Sequence, residues 1–201
     1  MNYSWYEIVS NGESITQGDI IPKCNIVELV STKEAPFIKA NSIAVDVIVM
    51  TQACDLEHSK VKQVTLCRLS PLKDIIKRLL LKEFPEGQNH ENILNGNIIG
   101  KVARKRREII QDLKKGAYLD FHLLNKYENN QGLKELDYMV VILKESFVLP
   151  IDFIHNNLRA KEYKLFRLLP PYREHLSQAY ARNFFRIGLP LDINIQEEEL
   201  Q

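Results

Sequence analysis

The feature that most constrains the fold is a change of hydrophobic period at Ser70–Pro71. Before it, apolar residues run in short stretches bounded by polar turns, as strands do. After it, Leu72, Ile75, Ile76, Leu79 and Leu80 recur at helical spacing. Ser70 reads as an N-cap and Pro71 as the first helical residue. The helical pattern stops at Pro85-Glu86-Gly87. It resumes over Asn97 to Lys115 and closes at Gly116, a C-terminal signal. Strand character then returns in "AYLDFHLL", "DYMVVIL", "SFVLP" and "YKLFRLL", with a short helix in "IDFIHNNLRA". Pro170-Pro171 opens a last helix to Ile187, closed by Gly188 and Pro190. Strands, then helices, then strands predict an α+β fold rather than an alternating βαβ one.

The early strands are specific enough to suggest a closed sheet. "WYEIV" precedes the turn signal "SNGE". "GDIIPKCNIVELV" is β-branched, and Pro22 marks an edge or a bulge. "IAVDVIVM" is mostly continuous apolar, as expected of a strand buried on both faces. "VKQVTLCRL" alternates, with Val61, Gln63, Thr65 and Cys67 on one side and Lys62, Val64, Leu66 and Arg68 on the other. Short strands joined by polar turns predict a small β-barrel. The expected layout is one domain over residues 1–190. Barrel strands fill 3–70 and 117–169, a helical insert fills 71–116, and a C-terminal helix fills 171–187. An acidic tail follows at 191–201.

Composition narrows the class. With 201 residues, 45% of them hydrophobic, the chain can bury one core of ordinary size. A formal net charge of +1 gives no global field to attract nucleic acid or a membrane. Apolar runs such as "VVIL" fall far short of the ~18 residues a membrane span needs. The start, "MNYSWYEIVSNGES", has no basic segment followed by an apolar one, so it does not read as a signal peptide. Cys24, Cys54 and Cys67 are odd in number and form no Cys-x-x-Cys pair, which argues against a secreted disulfide scaffold. These features lead us to expect a cytoplasmic protein with reduced thiols, no cofactor and no membrane partner.

The pieces Gly18-Asp19-Ile20, Val47 to Thr51 and Val64 to Pro71 follow an order and spacing that resembles the PemK/MazF-like family, the SH3-like barrel toxins of bacterial toxin–antitoxin pairs. The resemblance spans roughly residues 17–72. It implies an N-terminal SH3-like barrel and a setting in bacterial stress or phage defence. It implies RNA as one kind of partner, with a protein partner or second copy as another. The family's ribonucleases carry an arginine at the head of the strand matching Val47–Thr51. Here that stretch reads "NSIAVD", and no arginine precedes Arg68. Thr51 falls at the family's hydroxyl position. RNA cleavage needs a base for the 2′-hydroxyl and a cation for the charge developing on phosphate. Lys33, Lys39 or Arg68 would have to replace the arginine. Two functions are therefore expected: a non-catalytic binding module, or a toxin-type endoribonuclease with a cleft lined by Thr51, Asp55 and Arg68.

Three further features carry polar chemistry. In "VIVMTQACDLEH", an apolar run ends in Thr51, Gln52, Cys54, Asp55 and His58. Cys54 needs a neighbouring base or cation to become thiolate, and Asp55 opposes that. Cys24, Cys54, His58 and Cys67 form a candidate metal set, though without paired-ligand spacing. Alternatively, Thr51, Gln52 and Asp55 satisfy backbone groups at the strand end, or line a polar pocket. The segment Lys101 to Lys115 holds seven basic and two acidic residues. It places Arg104, Lys105 and Arg107 around Arg106, which falls on the apolar face. That face is either covered with Arg106 against a carboxylate, or left open to phosphate or an acidic partner. In the last helix, Asn183 falls among Tyr172, Leu176, Ala179, Tyr180 and Ile187 and requires a partner. Tyr172, Arg173, His175 and Gln178 could group into a site there, with His175 off the apolar face and exposed.

Overall fold

The computed structural model describes residues 3–9, 13–31, 38–58, 60–160 and 164–184. The Asn11-Gly12 turn, Lys33, Ile187, Gly188, Pro190 and the acidic tail lie outside them.

Among the described residues, nine strands and six helices follow the predicted α+β order. The strands are β1 (Tyr6–Val9), β2 (Asp19–Ser31), β3 (Ile38–Val49), β4 (Gln63–Pro71), β5 (Phe121–Leu124), β6 (Tyr127–Glu128), β7 (Lys134–Leu136), β8 (Met139–Pro150) and β9 (Leu165–Leu168). The helices are α1 (Ala53–Glu57), α2 (Leu72–Glu83), α3 (Gly87–Leu94), α4 (Gly100–Lys114), α5 (Ile151–Ala160) and α6 (Tyr172–Phe184). Among the described residues, no helix is long and apolar enough to cross a membrane.

The predicted barrel does not close. Seven strands form one sheet in the order β1-β9-β2-β3-β4-β8-β5, every recorded pairing antiparallel, with β1 and β5 as its edges. β6 and β7 form a separate two-stranded ribbon. Backbone closure would require β1 to pair with β5, and side chains bridge that seam instead. The Tyr6 hydroxyl donates to the Asn125 carbonyl just beyond β5, at 2.7 Å. The Tyr6 ring meets Tyr127 of β6 edge-on, and Tyr127 packs on Phe166 of β9. Short four-residue edge strands offer few ladder bonds, so aromatic contacts take over where pairing stops.

The sheet is buried on both faces, as the continuous apolar run in β3 predicts. Ile48 and Met50 join Tyr6, Ile20, Cys67, Val141 and Leu168 on one face, covered by Leu176 of α6. Val45, Val47 and Val49 join Ile21 and Leu66 on the other, beneath Leu56 of α1 and Ile154 of α5. Pro22 does mark a bulge: the β2–β3 register shifts between Ile21 and Cys24, and the Lys23 amide donates to Asp46. A second bulge at Cys67/Arg68 sits in the β4–β8 ladder.

Ser70 is not a helix cap. Ser70 and Pro71 pair with Val140 and Met139 of β8, so the strand runs two residues further than its composition suggests and Pro71 becomes the N-cap of α2. The helical insert contains α3 between the two helices read from the sequence, and it packs Ile76, Leu80, Val102, Ile109 and Leu113 into its own small core. Ile75 of α2 joins this insert to the sheet through Val140 and Ile142.

Gly18-Asp19 is a structural joint. Gly18 has φ +89°, and a side chain there would meet Leu168 Cβ and O at 3.1 Å. Asp19 is fully buried and accepts two bonds from the Arg167 guanidinium, at 2.7 and 3.1 Å, plus one from the Thr16 amide at 2.9 Å. Arg167 also reaches Glu13 and the Ser14 carbonyl. One network thus ties the segment before β2 to β9.

Candidate binding cleft

The strand-end corner read from the sequence resolves into local hydrogen bonding. Thr51 Oγ1 accepts from the Thr65 amide at 2.7 Å, so its hydroxyl holds the end of β3 against β4. Gln52 is the exposed N-cap of α1, the short helix that occupies the expected turn, and His58 is its exposed C-cap. Cys54 is exposed, and its thiol faces two acceptors, Gln52 Oε1 and Asp55 Oδ1. Arg68 stands opposite Val47 of β3, four residues before Thr51 in the chain. That is about 13 Å along a strand. Its guanidinium is paired with Glu145 at 3.2 Å, and Arg78 shares that carboxylate.

The cysteines do not assemble into a metal site either. Cys24 and Cys67 are buried on opposite faces of the sheet, and Cys54 is exposed. Among the described residues, no group of three or more His, Cys, Asp or Glu is placed to hold a metal ion. Burial in the apolar core pushes the Cys67 thiol up to about 12.

On α4, the residue at the apolar seam is Lys105 rather than Arg106. Val102, Ile109 and Leu113 are the buried positions, and Arg106 is exposed. Lys105 lies half-buried against α2 and pairs with Glu83 at 3.2 Å, the carboxylate expected for Arg106. Arg104 pairs with Glu108, and Arg107 is exposed.

What the fold does build is a cleft of about 870 Å³ between the C-terminal turn of α4, β5 and α6. Lys114, Lys115 and Gly116 come from the end of α4, with Gly116 at φ +66° turning the chain toward β5. β5 contributes Phe121, His122 and Leu123. α6 contributes Tyr172, His175, Gln178, Ala179 and Arg182, and Trp5 and Tyr138 complete the wall. Trp5 stacks on Tyr172, with ring centroids 3.7 Å apart and planes 10° apart. Asn183 fixes α6 to this rim: its Nδ2 donates to the Leu119 carbonyl at 2.9 Å, which answers the sequence's demand for a partner.

The cleft's electrostatics are one-sided. No Asp or Glu lines it, whereas Lys114, Lys115 and Arg182 do. None of those three cations is in an ion pair among the described residues, in contrast to Arg68, Arg104, Lys105 and Arg167. Asp120, the carboxylate next to the rim, is neutralised by Lys144 at 2.8 Å. Burial, with a smaller push from His175, lowers His122 from 6.5 to about 4, so its imidazole is neutral at pH 7.

Sequence reasoning named Tyr172, His175 and Gln178 as a possible group, and the structure places all of them on this cleft with His175 exposed. Arg173 pairs with its neighbour Glu174 instead. Trp5, Lys114, Lys115, His122 and Arg182 were not singled out. A signal existed for the lysines, two adjacent cations with no acid four residues upstream that the fold could pair them with. None existed for His122, whose position depends on β5 pairing with β8.

Fold and site together define an α+β protein with an open antiparallel sheet and a cationic, aromatic cleft. Comparison with protein-family models, curated proteins and solved structures finds no match.

Proposed function

We propose that the chain is a non-catalytic binding module that contacts nucleic acid through the α4–β5–α6 cleft. The observation carrying this reading is the cleft's charge: three cations with no ion pair among the described residues, and no carboxylate in its lining. An acidic protein surface is the less favoured ligand, because the aromatic walls at Trp5, Phe121 and Tyr172 beside the cations suit nucleotides, which combine a flat base with a phosphate. The bacterial stress or phage-defence setting, and the SH3-like description of the sheet, rest on the resemblance of residues 17–72 to the PemK/MazF-like family. The endoribonuclease alternative at Thr51, Asp55 and Arg68 draws no support from the geometry, since Thr51 and Arg68 are already engaged elsewhere.

Filter binding of a labelled single strand across a salt series tests the reading. Three phosphate contacts predict a slope of about −2 in log K against log salt. Replacing Lys114, Lys115 and Arg182 together with Ala should flatten that slope and weaken binding at least tenfold. All three are exposed, so folding should survive. Retention of wild-type affinity by the triple variant would refute the reading. Binding of an acidic protein but of no nucleic acid would transfer the cleft to a protein partner.

A further inference from the structure

The cleft is not only a charged surface. Its exposed members include Lys114, Lys115, His175, Gln178 and Arg182, while Leu113 and Leu143 are buried and Trp5, Phe121 and His122 half-buried. A polyanion held by its phosphates alone needs the first group and has no use for an apolar recess behind it. The recess also contains hydrogen-bonding capacity that the protein leaves unspent. His122, half-buried, makes no side-chain hydrogen bond among the described residues. Asn125 Oδ1 accepts from the Lys126 amide, which leaves both Nδ2 protons free. Gln178 has no partner among the described residues. These groups are reached by solvent rather than buried, since among the described residues the buried side-chain polar atom without a partner is Asn157 Oδ1; they are open to a ligand and converge on one recess, as the few polar groups of a small-ligand site do.

We propose that this recess is a base-binding subsite, taking the planar heterocycle of one nucleotide whose phosphate lies among Lys114, Lys115 and Arg182, with His122, Asn125 and Gln178 meeting the edge of the base. The inference rests on the nucleic-acid reading above and adds which part of the nucleic acid is recognised. A neutral imidazole presents one donor and one acceptor, and the amides present both, which matches the mixed edges of bases. The volume, about 870 Å³, lies within the range of small-ligand sites and leaves room for a nucleotide. A base inside a duplex cannot enter, because its edge is paired and its faces are stacked.

The chain has one tryptophan, Trp5, and it lines this cleft, so its emission reports occupancy directly. The full chain is titrated at low salt with a single-stranded oligonucleotide, a strand of equal length made of abasic sugar–phosphate, a blunt duplex, and a nucleoside monophosphate. Anisotropy of labelled strands follows binding independently. The intact strand should quench Trp5 and bind at least tenfold tighter than the abasic strand or the duplex. Gln178→Ala, an exposed change that spares the fold, should narrow that preference without altering the salt slope; His122→Ala should do so more strongly. Saturable quenching by the monophosphate at lower concentration than the strand assigns the subsite to a free nucleotide, and at higher concentration to a strand. An abasic strand that binds as tightly as the intact one, or binding seen by anisotropy with Trp5 emission unchanged, overturns the subsite and leaves nucleic-acid binding standing. No binding of any strand overturns both.

Discussion

Arg167→Met isolates the joint on which the N-terminal half of the sheet hangs. Asp19 is 0% exposed and has three donors, two of them from Arg167. Removing the guanidinium leaves a buried carboxylate with a single partner, the Thr16 amide, while the methionine stem keeps most of the packing. Breaking a buried pair in this way costs about 3–5 kcal/mol. For a chain of this length that lowers Tm by roughly 10 °C. Burial pushes the Asp19 carboxyl above its usual range against the pull of Arg167 and Thr16, so the carboxylate of the variant will take up a proton more readily. Glu13→Gln provides the control. It removes an exposed partner of the same guanidinium and should cost less than about 1 kcal/mol. Urea unfolding followed by circular dichroism measures both, with unchanged m-values showing that the folded and unfolded states remain comparable. An Arg167→Met variant within 1 kcal/mol of the wild type would refute the claim that this ion pair anchors β2 and β9.

Other outcomes follow from single residues. His122 has a folded pKa of about 4 against 6.5 unfolded, so the unfolded chain binds the extra proton between those values. Its contribution is complete above pH 6.5 and disappears as pH falls toward 4, a loss of about 3 kcal/mol that His122→Gln should remove from the pH–stability curve. Of the three thiols, Cys54 should react with a thiol reagent in the native protein, and Cys24 and Cys67 only on unfolding. Three fast-reacting thiols would contradict the buried placement of the other two. Gly18→Ala should destabilise the protein by more than about 1 kcal/mol, because φ is +89° and Leu168 is too close for a methyl group; a neutral effect would refute that geometry.

Much of the fold was legible because period and burial are local signals. The apolar run Ile43–Met50 announced a strand covered on both faces, and Pro22 announced a bulge. Closure of the sheet was not legible. Whether β1 meets β5 depends on the curvature of all seven strands, and a Tyr6–Asn125 bond leaves no pattern in sequence. Ser70-Pro71 carried a true helix-start signal, yet the ladder with β8 claimed both residues. The site was harder. Thr51, Gln52 and Asp55 drew attention because polar residues crowd a strand end, and of the three it is the Thr51 side chain that bonds the backbone there. The cleft collects Trp5, Lys114, His122 and Arg182 from four separate stretches of chain, so only the tertiary fold brings them together.

Ultraviolet crosslinking of a bound single strand, read by peptide mass spectrometry, tests where nucleic acid sits. Crosslinks at Trp5, at Tyr118 just before β5 or Phe121 at its start, or at Tyr172 and His175 of α6 are expected, all abolished by the Lys114, Lys115 and Arg182 triple substitution. Crosslinks confined to Thr51–His58 or to the β2–β3 hairpin, with those cleft residues unmodified, would place the interface elsewhere and contradict the cleft as the binding surface.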